Sequence, residues 1–216
     1  MTQWTCCCSR SSTWERYTEN VGWLFRVGWF NYQSSDTIFF TMENPEKAPH
    51  SFVFWINQIR DAGENHKIYF IALTSALTIP DVCGALESET GVAKKEKYAA
   101  WFDTWVGPRY QNGFDGEYCC GLRNTMLHQG RLNPEKQKFS RVAFVEPGAG
   151  VYMHGGTPNN ILTIDLMTFV DDMTQGAIAW FEKTKNTQNF KNNYQYSMRR
   201  YAMGMEGVAR GVPIIT

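Results

Sequence analysis

Residues 115–130 read DGEYCCGLRNTMLHQG, and both ends of one helix can be located within them. Asp115 has the side chain of an N-cap, and Glu117 follows in the first turn, where the helix dipole favours an anion. Gly130 can end the helix in a left-handed conformation. The stretch therefore predicts a helix over 115–129.

Helical spacing of apolar residues recurs on both sides of this stretch. Trp101 and Phe102, for example, follow Tyr98 by three and four residues, so the three side chains share one face of an amphipathic helix. Pro80 predicts a kink or a break within another helix. The further predicted helices cover 51–62, 68–87, 94–106 and 165–185. These patterns predict a mainly α fold.

A β-hairpin is predicted between the helix over 115–129 and the helix over 165–185. Residues 140–145 and 151–153 are rich in β-prone side chains. Pro147, Gly148 and Gly150 between them are typical of a turn. The expected fold is a helical domain with a small hairpin insertion.

The chain of 216 residues has room for one compact domain with tails. Its 43% apolar and 15% aromatic residues are typical of a globular protein with a well-filled core. We predict an N-terminal extension of unknown role over 1–41, a helical domain over 42–185 and a tail over 186–216. We expect the tail to be mobile or to pair elsewhere.

Composition narrows the class of function. The 21 basic and 21 acidic residues balance, so a nucleic-acid site must be local. No uninterrupted run of about 18 apolar residues and no basic-then-apolar start is present, which favours a cytoplasmic protein without a membrane partner. The cysteines match neither zinc-ligand spacing nor a disulfide framework, so we expect no metal and no cofactor. They are Cys6, Cys7, Cys8, Cys83, Cys119 and Cys120.

Arg123 and His128 form the strongest candidate for chemistry, with the polar Asn124 directly after the arginine. Histidine titrates near neutrality and can move a proton. Arginine keeps its charge and can hold a phosphate while charge grows in the transition state.

A second pair with similar spacing is Arg60 and His66. Gly63 and Asn65 lie between its members and interrupt the helix that should carry them. We interpret this pair as a chance match.

The pair Arg123 and His128, on a late helix, resembles the ribonuclease motif of the HEPN superfamily. The chain from 69 to 183 is also similar to a family of small, largely uncharacterised bacterial and phage proteins. The resemblance is carried by residues 79–87 (IPDVCGALE), 101–102 (WF), 127–130 (LHQG) and 145–148 (VEPG).

The HEPN resemblance implies a helical bundle with metal-independent endoribonuclease activity, in a toxin or phage-defence setting. RNA would be the substrate, and a cognate antitoxin or another protein is an expected partner. The ribose 2′-hydroxyl would attack the adjacent phosphate and leave a cyclic phosphate. Five residues along a helix turn through about 500°, so the two side chains point about 140° apart. A site built from two copies of the helix solves this, which predicts a homodimer.

Four further residues are candidates at this site. Asn124 and Arg131 are candidates for substrate binding, and Asp81 and Glu87 for polar support from the helix predicted over 68–87. Between residues 91 and 141 the chain carries nine basic and five acidic residues. This excess is compatible with a phosphate-binding cleft and equally with an ordinary solvated surface. Asn124 facing solvent, or an ion pair between Arg123 and a carboxylate, would be the purely structural alternatives.

A different class of function remains open. A HEPN-like module without catalysis would bind a protein or nucleotide partner, for instance as a phage-encoded inhibitor acting by surface contact. An enzyme needs Arg123 and His128 to be accessible and convergent, whereas a binding module tolerates their burial. A hydrolase that uses Cys83 or Cys119 lacks a recognisable base nearby.

Overall fold

The computed structural model describes residues 50–111, 113–133, 138–148 and 150–216. The described part holds six α-helices and six short strands. The helices are α1 (Ser51–Glu64), α2 (Tyr69–Glu87), α3 (Lys95–Trp105), α4 (Gly116–Gln129), α5 (Leu166–Thr184) and α6 (Gln188–Tyr194). The strands are β1 (Arg141–Val145), β2 (Ile161–Asp165), β3 (Arg200–Tyr201), β4 (Gly204–Met205), β5 (Ala209–Arg210) and β6 (Ile214–Ile215).

The predicted mainly α fold is confirmed, and the five predicted helices are α1 to α5, with ends within two residues of the prediction. Asp115 and Asp165 cap α4 and α5 by accepting hydrogen bonds from the backbone of Tyr118 and Thr168. The predicted extension over residues 1–41 lies outside the described residues.

Helix α2 is the centre of the domain and packs against α1, α3, α4, α5 and α6. It continues through the buried Pro80, so the predicted break does not occur. It is also the one described helix long and apolar enough to cross a membrane. That signal is weak, because a core helix gives it too, and half of the apolar window of α2 is buried in the domain.

Helices α3 and α4 pack closely against each other and against α2. Tyr98, on the buried face of α3, donates a hydrogen bond to the carbonyl oxygen of Leu77 on α2 at 2.9 Å. Gly116, the first residue of α4, lies directly against the backbone of Ala99 on α3. Helix α4 therefore lies beside α2 on one side and beside the start of α3 on the other.

The predicted β-hairpin is wrong. Strand β1 forms where expected, but it pairs in parallel with β2, with Arg141 opposite Ile161 and Val145 opposite Asp165. Leu162 and Ile164 of β2 are buried, whereas Val151 and Tyr152 of the predicted second strand are exposed. Burial of an apolar strand in the core therefore decided the partner of β1, over the local turn signal.

The tail packs against the helical domain, in line with the expectation that it pairs elsewhere. Phe190 of α6 is buried in the core. The side-chain amide of Asn193 donates to the carbonyl oxygens of Ala85, Leu86 and Ser88 at 2.7–3.1 Å. Asn193 therefore provides hydrogen bonds to carbonyls at and just beyond the end of α2, where helix carbonyls begin to lack partners within the helix. Beyond α6, β3 pairs with β6 and β4 with β5 in antiparallel ribbons.

His50 caps α1 in a way that requires a neutral imidazole. Its Nδ1 accepts a hydrogen bond from the backbone N–H of Phe52 at 3.3 Å, and its ring lies 4.8 Å from Phe181 and 4.3 Å from Tyr194. Burial against these rings lowers the pKa of His50, and the charge of Lys185 lowers it further. A protonated imidazole has no lone pair with which to accept this hydrogen bond.

We expect His50 to make the domain less stable as the pH falls below about 6.5. With the folded pKa lowered, the unfolded chain binds the proton first, so the stabilisation by the neutral cap is lost as the pH falls through the folded pKa. The loss should be about 1 kcal/mol, the usual contribution of an N-cap. Urea unfolding at about pH 7.5 and about pH 5 measures it against His50→Asn, which keeps a cap that does not titrate. Parallel pH dependence of the two proteins would contradict the prediction.

Candidate functional site

Helix α4 carries the candidate residues and has well-defined ends. Asp115 caps its first turn, and Gly130 ends it with a φ of 63°. The backbone N–H groups of Gly130 and Arg131 donate to the carbonyls of Met126 and Thr125, which closes the last turn. Arg123 therefore lies in the middle of α4 and His128 in its last turn.

Arg123 points towards α2, and only 17% of its side chain is exposed. Its guanidinium forms an ion pair with Asp81 and lies 5.2 Å from the ring centroid of Tyr98. It also donates to Oδ1 of Asn124 at 2.6 Å. Burial raises the pKa of Asp81, and the neighbouring charge of Arg123 opposes that rise. Asp81 and Tyr98 thus hold the guanidinium in one orientation.

His128 is exposed and opens on a different surface, a cleft of about 300 Å³ between α4 and the start of α3. Lys95 and Lys138 flank this cleft, and Asn124 and Gln129 also line it. Such a cleft has room for a phosphate and part of a nucleotide.

The two lysines are balanced by carboxylates of α4. Lys95 pairs with Glu117 at 2.8 Å, and Lys138 pairs with Asp115. Burial would raise the pKa of Asp115, but hydrogen bonds from Lys138 and from the backbone of Tyr118 lower it overall. The local excess of basic residues is therefore partly neutralised in the free protein, and a phosphate would compete with carboxylates for these lysines.

Arg123 and His128 do not converge within one chain, in line with their separation around the helix. Arg123 is directed to Asp81, whereas His128 lines the cleft. Asn124 connects the two surfaces, because it accepts a hydrogen bond from Arg123 and also lines the cleft.

Two of the predicted supporting residues lie elsewhere. Glu87 accepts a hydrogen bond from the indole of Trp180 at 3.0 Å, so its predicted support of Arg123 is wrong. The reason is distance, since Glu87 is six residues, or about 9 Å, beyond Asp81 along α2. Arg131 is exposed just after α4 and does not line the cleft around His128.

Lys95 and Lys138 were not singled out from the sequence. Both belong to the local excess of basic residues that the sequence shows. That excess does not indicate which of the nine basic side chains lie beside His128. They are 43 residues apart in the chain. Lys95 reaches the cleft because α3 packs on α4, and Lys138 because it pairs with Asp115 at the start of α4.

The alternative pair and the three cysteines in the described ranges provide no competing site. Arg60 pairs with Glu64 and Asp171, while His66 pairs with Asp61. Cys83, Cys119 and Cys120 are buried free thiols. Burial raises the pKa of Cys119 to about 12, which keeps it protonated and unreactive. No group of three potential metal ligands occurs in the described ranges.

Comparison with known proteins adds no further constraint, because no family model matches the chain and no curated protein or solved structure is significantly similar to it.

Proposed function

We propose that the protein is a metal-independent endoribonuclease of the HEPN type that acts in the cytoplasm as a homodimer, in a toxin or phage-defence setting. The observation that carries this proposal is the placement of His128, exposed in a cleft flanked by Lys95 and Lys138. The same helix holds Arg123 in a fixed orientation against Asp81. A proton-transfer group, a guanidinium and two phosphate-binding cations are thus collected around α4.

The proposed reaction needs only these residue types. The ribose 2′-oxygen forms a bond to phosphorus and the bond from phosphorus to the 5′-oxygen breaks. A 2′,3′-cyclic phosphate and a 5′-hydroxyl result. His128 takes the proton that the 2′-hydroxyl loses and returns it to the departing 5′-oxygen, and the guanidinium of Arg123 stabilises the charge on the phosphate oxygens. Asn124 and the two lysines orient the RNA backbone beside His128.

A second copy of the chain supplies the convergence that one chain lacks. In the proposed homodimer, His128 of one copy faces Arg123 of the other across a two-fold axis. Helices α2 and α4 also expose large apolar side chains, Phe70 and Ile71 on α2 and Leu127 on α4. Exposed apolar groups of this kind are typical of association surfaces.

Incubation of total RNA with the purified full chain in excess EDTA tests the proposal. We expect cleavage that EDTA does not inhibit, with fragments that end in 2′,3′-cyclic phosphate and 5′-hydroxyl. Mapping both ends by sequencing distinguishes these products from those of a metal-dependent nuclease, which would be inhibited. Intact RNA across a range of RNA preparations and protein concentrations would contradict the ribonuclease function.

The second candidate is a HEPN-like binding module without catalysis, which would recognise a protein partner such as an antitoxin. The ion pair between Arg123 and Asp81 favours it, because an arginine side chain that is only 17% exposed also serves as a structural link between α4 and α2. On this alternative, Arg123→Ala would destabilise the domain and no RNA would be cleaved by the natural protein.

A further inference from the structure

A second and larger cavity, of about 700 Å³, lies between α1, the end of α2 and the segment that follows α6. Its volume is typical of cavities that bind small organic ligands. Trp55, Tyr194 and Tyr196 line it together with the amides of Asn192 and Gln195. Aromatic faces and side-chain amides are the groups that proteins use to stack and hydrogen-bond unpaired bases.

The charge of this cavity suits a base and not a phosphate. Glu89 is the only charged residue among the described residues that line it. No basic side chain of the described residues lines the cavity. A ligand with a phosphate must therefore keep that group outside, at the rim.

Two arginines stand at this rim. Arg199 donates to the carbonyl oxygen of Gln195 at 3.2 Å and lies 6.0 Å from the ring centroid of Tyr194. The backbone of Arg200 is joined to the hydroxyl of Ser51, which also lines the cavity. The guanidinium of Arg200 packs over the ring of Phe54 on α1 at 4.6 Å. These contacts place both arginines next to residues that line the cavity, outside its lining.

Basic residues outnumber acidic ones in this segment. Residues 186–216 contain four basic residues, Lys191, Arg199, Arg200 and Arg210, against one acidic residue, Glu206. None of these four forms an ion pair with a carboxylate of the described residues. In contrast, Lys95 and Lys138 beside His128 are both paired. Among the described residues, the basic side chains of 186–216 are therefore less paired with carboxylates than the two lysines beside His128.

Tyr196 is the most exposed large side chain at the cavity, with 85% of its surface accessible. Exposed aromatic rings next to cationic side chains are typical of sites that bind single strands. Each base stacks on a ring while the backbone phosphates contact the cations.

We propose that the cavity lined by Trp55, Tyr194 and Tyr196 binds an unpaired base of a single-stranded nucleic acid, with Arg199 and Arg200 contacting the adjacent phosphates. This site is separate from the cleft around His128 and does not depend on catalysis there. A base-paired duplex does not fit, because its bases are stacked on one another and cannot enter a cavity.

Fluorescence anisotropy with a labelled single-stranded oligothymidylate of about 12 nucleotides, a length within the usual site sizes, tests this proposal on the full chain. DNA lacks the 2′-hydroxyl, so the probe cannot be cleaved by the proposed reaction. Oligouridylate bound to His128→Ala provides the RNA counterpart, and a duplex of equal length is the comparison. We expect both single strands to bind more tightly than the duplex.

Single substitutions test whether the oligonucleotide binds at this cavity. Tyr196→Ala should weaken binding of the single strand by roughly 5-fold or more, the usual loss for one stacked base. Arg199→Gln and Arg200→Gln should each reduce the slope of log affinity against log salt by about 0.7. Tyr152→Ala and Arg141→Gln remove an exposed tyrosine and an exposed arginine elsewhere and should bind as the natural protein does. Circular dichroism melting confirms that each variant is folded.

The outcomes separate this proposal from the ribonuclease. Single-strand binding that Tyr196→Ala and the two arginine variants leave unchanged would overturn the site, as would equal binding of the duplex. Absence of binding to either oligonucleotide would also overturn it and would assign the cavity to another class of partner. Oligothymidylate binding without any RNA cleavage would contradict the ribonuclease alone.

Discussion

His128→Ala is expected to lower RNA cleavage by roughly 10²- to 10⁴-fold, the usual contribution of a positioned acid–base group. The side chain is exposed in the cleft, so its removal leaves no buried cavity and should not reduce stability. Initial rates on a defined RNA, measured together with thermal unfolding, test both parts of this expectation.

His66→Ala is the matched control for this variant. His66 is also an exposed histidine near the end of a helix, but its partner is Asp61 and it lies outside the cleft. It should cleave RNA at the rate of the natural protein. Equal rates for all three proteins would contradict the role of His128.

Arg123 is expected to combine catalysis with support of the fold. Arg123→Ala should abolish cleavage and also destabilise the domain by roughly 1–3 kcal/mol, because it leaves the half-buried Asp81 without its partner. Arg123→Lys keeps the charge but not the planar fork, so it should recover stability more than activity. Recovery of both would indicate that a point charge is sufficient.

Mixing the two alanine variants tests the composite site directly. If His128 of one copy acts with Arg123 of the other, a mixed dimer contains one intact site and one doubly altered site. Random exchange should then restore about a quarter of the activity of the natural protein. No recovery, with exchange of subunits verified by light scattering and labelled chains, would place the two residues in separate roles.

Gly116→Ala is expected to destabilise the domain by about 3 kcal/mol or more. A Cβ at this position would lie 2.2 Å from the carbonyl oxygen and 2.6 Å from the Cα of Ala99, both backbone atoms of α3. Backbone cannot move aside as a side chain can, so α3 and α4 must separate and uncover core residues. The change would also displace the cleft, since Lys95 and His128 lie on these two helices.

Gly63→Ala is the control for this effect. Its added Cβ would meet Sδ of Met167 at 2.6 Å, but that sulfur is near the end of a flexible side chain. Relief by rotation of Met167 and the better helix propensity of alanine should hold the change within about 1 kcal/mol. Urea unfolding of both variants measures the difference, and a Gly116→Ala protein as stable as Gly63→Ala would contradict the close packing of α3 on α4.

Local chemistry was sufficient to locate the helices. Asp115 and Gly130 mark the ends of α4 because capping depends on residues within one turn of each end. The orientation of Arg123 and His128 to different faces also followed from helix geometry alone. The turn residues Pro147, Gly148 and Gly150 predicted the wrong partner for β1. Leu162 and Ile164 bury more apolar surface beside β1 than residues 151–153 do.

What the sequence by itself determined is therefore the set of helices, the pair Arg123 and His128, and their separation around α4. Only the tertiary structure decided that Asp81 and not Glu87 holds Arg123, that Lys95 and Lys138 flank His128, and that the tail closes a cavity next to Arg199 and Arg200. Helix caps and periodicity depend on neighbours within a few residues, whereas each of these contacts joins residues brought together by helix packing, which no local pattern encodes.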